Sequence, residues 1–173
     1  LDANPVAELL NKATDSTCIT TEIPTPIHPL DIVYKPTSQA ALTPNSQGRM
    51  GVNPKFLAHC SQVVAAEASQ TNDDILVFLP GVGEIERVRQ LLSPQVGDDV
   101  EILSLHGQLS GPEQDRIFSP SAKQRIILAT AIAESSLTVP RVRTVVDAAL
   151  AREPRLYVRR GIGQLVTLPA SRA

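Results

Sequence analysis

Four short apolar runs dictate how this chain can pack. They extend from Asp74 to Leu79 (DILVFL), Val100 to Leu105 (VEILSL), Arg125 to Ala129 (RIILA) and Arg143 to Asp147 (RTVVD). Each has strand length and lacks the polar alternation of a strand with one wet face, so each reads as a strand covered on both sides. Amphipathic segments separate them. Asn53-Pro54 supplies an N-cap followed by proline at the first helical position, and Phe56, Leu57, Cys60, Val63 and Val64 then fall on one helical face. Gly83 to Leu92 reads as a helix with Ile85, Val88, Leu91 and Leu92 inward, and residues 111–118 as a short helix begun by Pro112. Strands alternating with helices predict an α/β domain: a mainly parallel sheet with helices on both faces. Hydrophobic residues make up 42% of the chain and aromatic ones 3%, so the predicted core is aliphatic.

The flanks are less regular. Residues 3–11 predict a short helix carrying Leu9 and Leu10. Three prolines between Ile23 and Pro29 predict a linker. Asp31–Tyr34 reads as a short strand, and residues 35–52, mixed in Pro, Ser, Thr, Asn, Gln and Gly, as a loop. At the other end, Leu156–Val158 and Gln164–Leu168 bracket Arg159-Arg160-Gly161-Ile162-Gly163, the pattern of a β-hairpin with a basic tip.

Charge is unevenly placed. Residues 1–140 hold 9 Lys and Arg against 16 Asp and Glu, whereas residues 141–173 hold seven Arg against Asp147 and Glu153. A basic segment of this kind meets phosphates or forms a solvated face, and charge alone does not separate the two. No apolar run approaches a membrane span, and no signal-peptide pattern opens the chain. Cys18 and Cys60 fit no metal spacing. A cytoplasmic protein with no metal site is expected.

Open parallel sheets bind ligands at the carboxyl ends of their strands. Three segments lie there. Pro80-Gly81-Val82-Gly83 can present backbone N–H groups to a phosphate or serve as a tight turn; Glu86 replaces the third glycine of a dinucleotide fingerprint. Thr130, Ser135, Ser136 and Thr138 follow the third run, either as phosphate and ribose donors or as helix caps. His106 follows the second, where a turn role is the ordinary one. The sequence contains no Walker-type phosphate loop and no nucleophile–histidine–acid order.

Together these segments resemble DEAH-type helicases, most closely the bacterial HrpB subgroup. Ile75–Val88 (ILVFLPGVGEIERV) is similar to the motif IV region, Leu105–Ser110 with Glu113–Arg116 to the segment after it, Ile127–Thr138 (ILATAIAESSLT) to motif V and Val145–Asp147 to the next strand. The resemblance implies a RecA-like domain of the P-loop NTPase type with a C-terminal β-hairpin. Residues 1–26 would be the tail of the first RecA-like domain, and 27–173 most of the second, between motifs III and VI. It implies an ATP-dependent helicase that moves along single-stranded or partly duplex RNA, or DNA. ATP and Mg²⁺ would be held by the full-length protein, together with the first RecA-like domain, and not tightly by this segment. Thr130 would contact a nucleic-acid phosphate, Ser136 and Thr138 would line or sense the nucleotide, and Gly81 and Gly83 would lie along the strand path. Arg155, Arg159 and Arg160 would bring the hairpin to the duplex. No residue of the segment would be catalytic, and the segment by itself would not hydrolyse ATP. Two positions depart from the family pattern: Ala131 stands where Asn is usual, and Pro140 where an acid is common. Both fit an alternative, a nucleic-acid-binding module without ATP chemistry. An unrelated small-ligand α/β protein is a third reading, one that gives the arginines no role.

Overall fold

The computed structural model describes residues 4–14, 17–21, 29–44, 50–131, 139–157 and 161–170. The chain divides into two compact units, Leu1–Tyr34 and Lys35–Ala173. In the first, helix α1 spans Asn4–Thr14 and ends three residues later than the sequence suggests. The strand expected over Asp31–Tyr34 is absent. Ile32, Val33 and Tyr34 stand 69%, 69% and 86% exposed, and among the described residues no ladder partner pairs with them. Their apolar character alone does not make a strand.

In the second unit, the stretch expected to be a loop contains two short strands, β1 (Leu42–Pro44) and β2 (Met50–Val52), paired antiparallel with Leu42 opposite Val52. Asn53 ties this ribbon to helix α2 (Pro54–Ala68). Its side-chain Oδ1 accepts from Lys55 N–H at 3.0 Å and so caps the helix, while its Nδ2 donates to Ala40 O at 2.8 Å. The elements then run β3 (Asp74–Phe78), α3 (Val82–Leu92), β4 (Val100–Leu105), α4 (Gly111–Phe118), β5 (Gln124–Ala129) and β6 (Val142–Asp147). They end in a hairpin of β7 (Leu150–Tyr157) and β8 (Ile162–Pro169). Strands β3 to β6 form one four-stranded parallel sheet in the order β4-β5-β3-β6.

Both faces of this sheet are covered, as the apolar runs require. Leu57, Val64, Ile85, Val88 and Leu92 of α2 and α3 pack on Ile75, Val77, Ile126 and Leu128. Ile117 of α4 packs on the opposite face with Leu76, Leu105, Ile127, Ala129 and Val139. Each such side chain stabilises the fold by about 1.5–3 kcal/mol relative to exposure. Strand β6 differs from expectation because one of its faces is open among the described residues. Arg143, Val145 and Asp147 alternate outward, and Val145 is 56% exposed.

Two charged residues are sealed into this apolar frame. Arg125 and Asp74 are 1% and 0% exposed. Arg125 donates from Nε and Nη2 to Asp74 Oδ2 at 2.8 and 2.6 Å, and its backbone N–H donates to Oδ1 at 2.9 Å. Its Nη1 donates to the carbonyls of Ile117 and Ser119 at 2.7 and 2.8 Å. One guanidinium therefore joins β5, β3 and the end of α4, and no buried side-chain polar atom among the described residues lacks a partner.

At the start of α4 the Glu113 carboxylate accepts from the Ser110 hydroxyl at 2.7 Å and the Ser110 N–H at 3.0 Å. These bonds, the hydroxyl's first, hold the Glu113 carboxyl below the usual range. A lowered carboxyl pKa stabilises above the ordinary value, and the contribution is lost as pH falls through the lowered one. Amide protection in the first turn of α4, taken relative to the intrinsic exchange rate at each pH, is expected to fall below about pH 4 and to lose that pH step in Glu113→Gln. An unchanged step in the variant would contradict this assignment. Removing half of the buried pair has a larger effect. Asp74→Ala is expected to lower unfolding stability by about 3–5 kcal/mol in urea denaturation, because the guanidinium stays buried without its acid. Asp74→Leu with Arg125→Met returns only part of it, since the Ile117 and Ser119 carbonyls remain without their donor.

Candidate nucleic-acid interface

Because all four sheet strands are parallel, their carboxyl ends share one edge. Three backbone hydrogen bonds carry the ladder one residue beyond the strands. Leu79 N–H donates to Ala129 O at 2.8 Å, Thr130 N–H to Leu105 O at 3.1 Å and Ala148 N–H to Phe78 O at 3.2 Å. The residue leaving each strand is thus fixed by the sheet itself, which is what a preformed binding edge needs.

Thr130 is half-buried at this edge, and among the described residues its hydroxyl has no hydrogen-bond partner. The segment it leads into, where Ser135, Ser136 and Thr138 fall, lies outside the described residues. His106, at the end of β4, behaves as a turn residue: its Nδ1 accepts from Gln108 N–H at 3.4 Å, and its carbonyl accepts from Leu109 N–H at 3.1 Å.

The two glycines of the β3–α3 turn have different reasons to be glycine. Gly81 is extended and buried, and its carbonyl accepts the first helical bond of α3, from Ile85 N–H at 3.0 Å. A Cβ there would overlap the Arg152 guanidinium and stand 2.9 Å from Glu84 Oε2. Gly83 sits inside the first turn of α3, exposed, with open space where a Cβ would be. Nothing among the described residues requires glycine at 83.

The hairpin is longer than the sequence suggests, with Leu150 opposite Pro169 and Tyr157 opposite Ile162. Gly161 takes a positive φ of 62° beside its turn, a conformation glycine adopts without strain. Arg155 is exposed on β7 and pairs loosely with Glu153 at 3.8 Å. Both side chains are more than half exposed, so the pair is worth little and leaves Arg155 available. Arg159 and Arg160 lie outside the described residues. A cleft of about 400 Å³ opens between β2, the start of α3 and the hairpin, walled by Met50, Val52, Glu84, Arg152, Leu165 and Thr167. A larger one, about 710 Å³, lies at the opposite, amino edge of the sheet beside Asn72, Asp73, Asp99 and Gln124, and none of Gly81, Gly83, Thr130 or Arg155 lines it.

Among the described residues no group of three or more His, Cys, Asp or Glu side chains could hold a cation. Cys18 and Cys60 are both free thiols, and burial pushes the Cys60 thiol up to about 11. No helix among the described residues is long and apolar enough to cross a membrane. Sequence reasoning misses Glu84 and Arg152, which pair at 3.1 Å in the wall of the cleft. Only the acid in the first turn of a helix offers a local signal.

Comparison with known proteins fits this geometry. Residues 55–161 match the family described as the helicase conserved C-terminal domain. The chain is 42% identical over 106 residues to the ATP-dependent RNA helicase HrpB of Escherichia coli K12, covering 60% of this chain and 13% of that protein. It is 34% identical over 146 residues to the ATP-dependent RNA helicase HrpA homolog of Haemophilus influenzae, covering 84% of this chain and 10% of that one. The crystal structure of the E. coli DExH-box NTPase HrpB superposes with a TM-score of 0.62 at 38% identity, over 67% of this chain and 15% of the other. The chain thus spans a small part of the length of these relatives.

Gly83→Ala separates the two uses of an exposed glycine. The substitution is expected to raise stability by about 0.5 kcal/mol, as for glycine replaced in a helical turn. If nucleic acid approaches the backbone there, affinity for single-stranded RNA falls in the same variant. Unchanged affinity in a stabilised protein would remove Gly83 from the interface.

Proposed function

We infer the function from one premise: the chain belongs to the helicase conserved C-terminal domain family. Its four-stranded parallel sheet with helices on both faces is the RecA-like fold of that family. The proposal is that it forms the second RecA-like domain of a cytoplasmic ATP-dependent RNA helicase, and that residues 1–26 end the first. The observation that carries it is Thr130. The motif V resemblance runs through this residue, the sheet holds it at the carboxyl edge, and its hydroxyl is unspent among the described residues.

In this reading Thr130 donates to a backbone phosphate, which fixes the position of the strand without reading its sequence. Gly81 and Gly83 lie along the strand, while Arg155, Arg159 and Arg160 carry the hairpin to the junction with duplex. Ser136 and Thr138 line the nucleotide. ATP is the substrate, shared with the first RecA-like domain. Mg²⁺ belongs with the phosphate loop of that other domain, which phosphoryl transfer requires. Ala131 and Pro140 favour a second reading, a nucleic-acid-binding module that does not hydrolyse ATP.

RNA-stimulated ATPase activity of the full-length protein decides between the two readings, since the binding module shows none. Thr130→Val keeps the side-chain shape and removes the hydroxyl. It is expected to weaken single-stranded RNA binding across sequences by roughly five- to thirtyfold, the effect of about 1–2 kcal/mol. The melting temperature should be unchanged. Binding should weaken steeply between about 50 and 200 mM salt if phosphate contacts dominate. A fall in melting temperature with unaltered affinity would instead make Thr130 a structural cap.

A further inference from the structure

The β7–β8 hairpin is held at its base. Leu150 and Thr167 are buried, but Glu153, Pro154, Arg155, Leu156 and Leu165 beyond them are exposed. Ala170 N–H donates to Ala149 O at 2.8 Å where the strands meet the domain. The side-chain tether is Arg152. Its Nη2 lies 3.1 and 3.2 Å from the two Glu84 carboxylate oxygens, and its Nε 3.5 Å from the hydroxyl of Thr167, its ladder partner on β8. The side chains are 34% and 15% exposed, so water screens the pair only in part. Glu84 belongs to the first turn of α3, where the helix dipole favours its charge. The guanidinium also occupies the space that a side chain at 81 would need. One cation thus touches both hairpin strands, the start of α3 and the Gly81 turn.

We propose that the Glu84–Arg152 pair, seated on Gly81, is a positioning device that fixes the orientation of the hairpin against the β3–α3 turn and so couples movement along RNA to strand separation. The coupling half of this statement rests on the helicase reading above; the orientation half does not. Glycine at 81 is part of the device, since its backbone is extended and any residue could adopt it. A Cβ there would push the guanidinium and the Glu84 carboxylate out of their seat.

The test uses the full-length protein that contains this chain, with Glu84→Gln, Arg152→Gln and the charge swap Glu84→Arg with Arg152→Glu. Nitroxides introduced at positions 87 and 156 by unnatural-amino-acid labelling report the distance between α3 and the hairpin. Both single variants should broaden that distance distribution, and the swap should narrow it again. Strands displaced per ATP hydrolysed should fall about three- to tenfold in Glu84→Gln, as for loss of one partly exposed ion pair at a mechanical junction, with RNA-stimulated ATPase within about twofold of the wild type. The swap should restore at least half of the lost displacement. A distribution unchanged in both single variants, or a swap as poor as its parents, overturns the proposal. So does a defect confined to Arg152→Gln, which would assign Arg152 to RNA directly. A wild-type protein that neither hydrolyses ATP nor displaces strands sinks the helicase reading, while the distance measurement still decides the orientation.

Discussion

The sheet is organised around a charge it has no right to bury cheaply. Taking a guanidinium and a carboxylate out of water is expensive, and only saturated hydrogen bonding makes it tolerable. Arg125 and Asp74 meet that condition through five bonds, including one from the Arg125 backbone and two to carbonyls at the end of α4. An apolar pair could fill the same volume but would set no register. Here β5 cannot slip along β3 without separating the charges, and α4 cannot drift from the sheet without exposing a donor. The parallel pairings Ile75 with Ile126 and Leu76 with Ile127 follow from that fixed start.

Registry at the amino end of the strands determines geometry at the carboxyl end. Leu79, Thr130 and Ala148 leave the sheet from adjacent strands, each tied by one more ladder bond. The sheet therefore delivers a turn glycine and a threonine hydroxyl to one rim without a dedicated scaffold. Among the described residues nothing chemically reactive is gathered there: His106 is occupied by its own turn, and Cys60 is buried with a raised pKa.

Much of this is legible in the residues because it is local. Apolar runs of strand length, Asn53-Pro54 as a helix start and the turn after Leu79 depend on near neighbours alone, and α2, α3, β3, β4 and β5 form where those signals put them. What fails depends on partners distant in sequence. Asp31–Tyr34 has strand composition but no neighbour to pair with among the described residues, whereas Leu42–Pro44 and Met50–Val52 have poor strand composition and pair with each other. Strand β6 reads as apolar, but one of its faces is left open among the described residues, so every second side chain is exposed. Arg125 and Asp74 each open an apolar run, where a charged residue ordinarily reaches solvent; their burial is a property of the pair, 51 residues apart. The rim positions of Gly81 and Thr130 can be read from strand order, but the Glu84–Arg152 contact spans 68 residues and shows locally only as an acid in the first turn of α3.

Hairpin length has a mechanical meaning. Strands β7 and β8 run for eight residues each, a reach of roughly 27 Å at about 3.4 Å per residue. A body of that length anchored at one end is a lever with its fulcrum beside Arg152. Beyond Arg152 the arm runs to Tyr157, roughly 17 Å, so rotation by about 10° at the fulcrum carries the far end of β7 through roughly 3 Å. Adjustments at the base too small to disturb the ladder between Leu150 and Pro169 are thereby amplified at the far end.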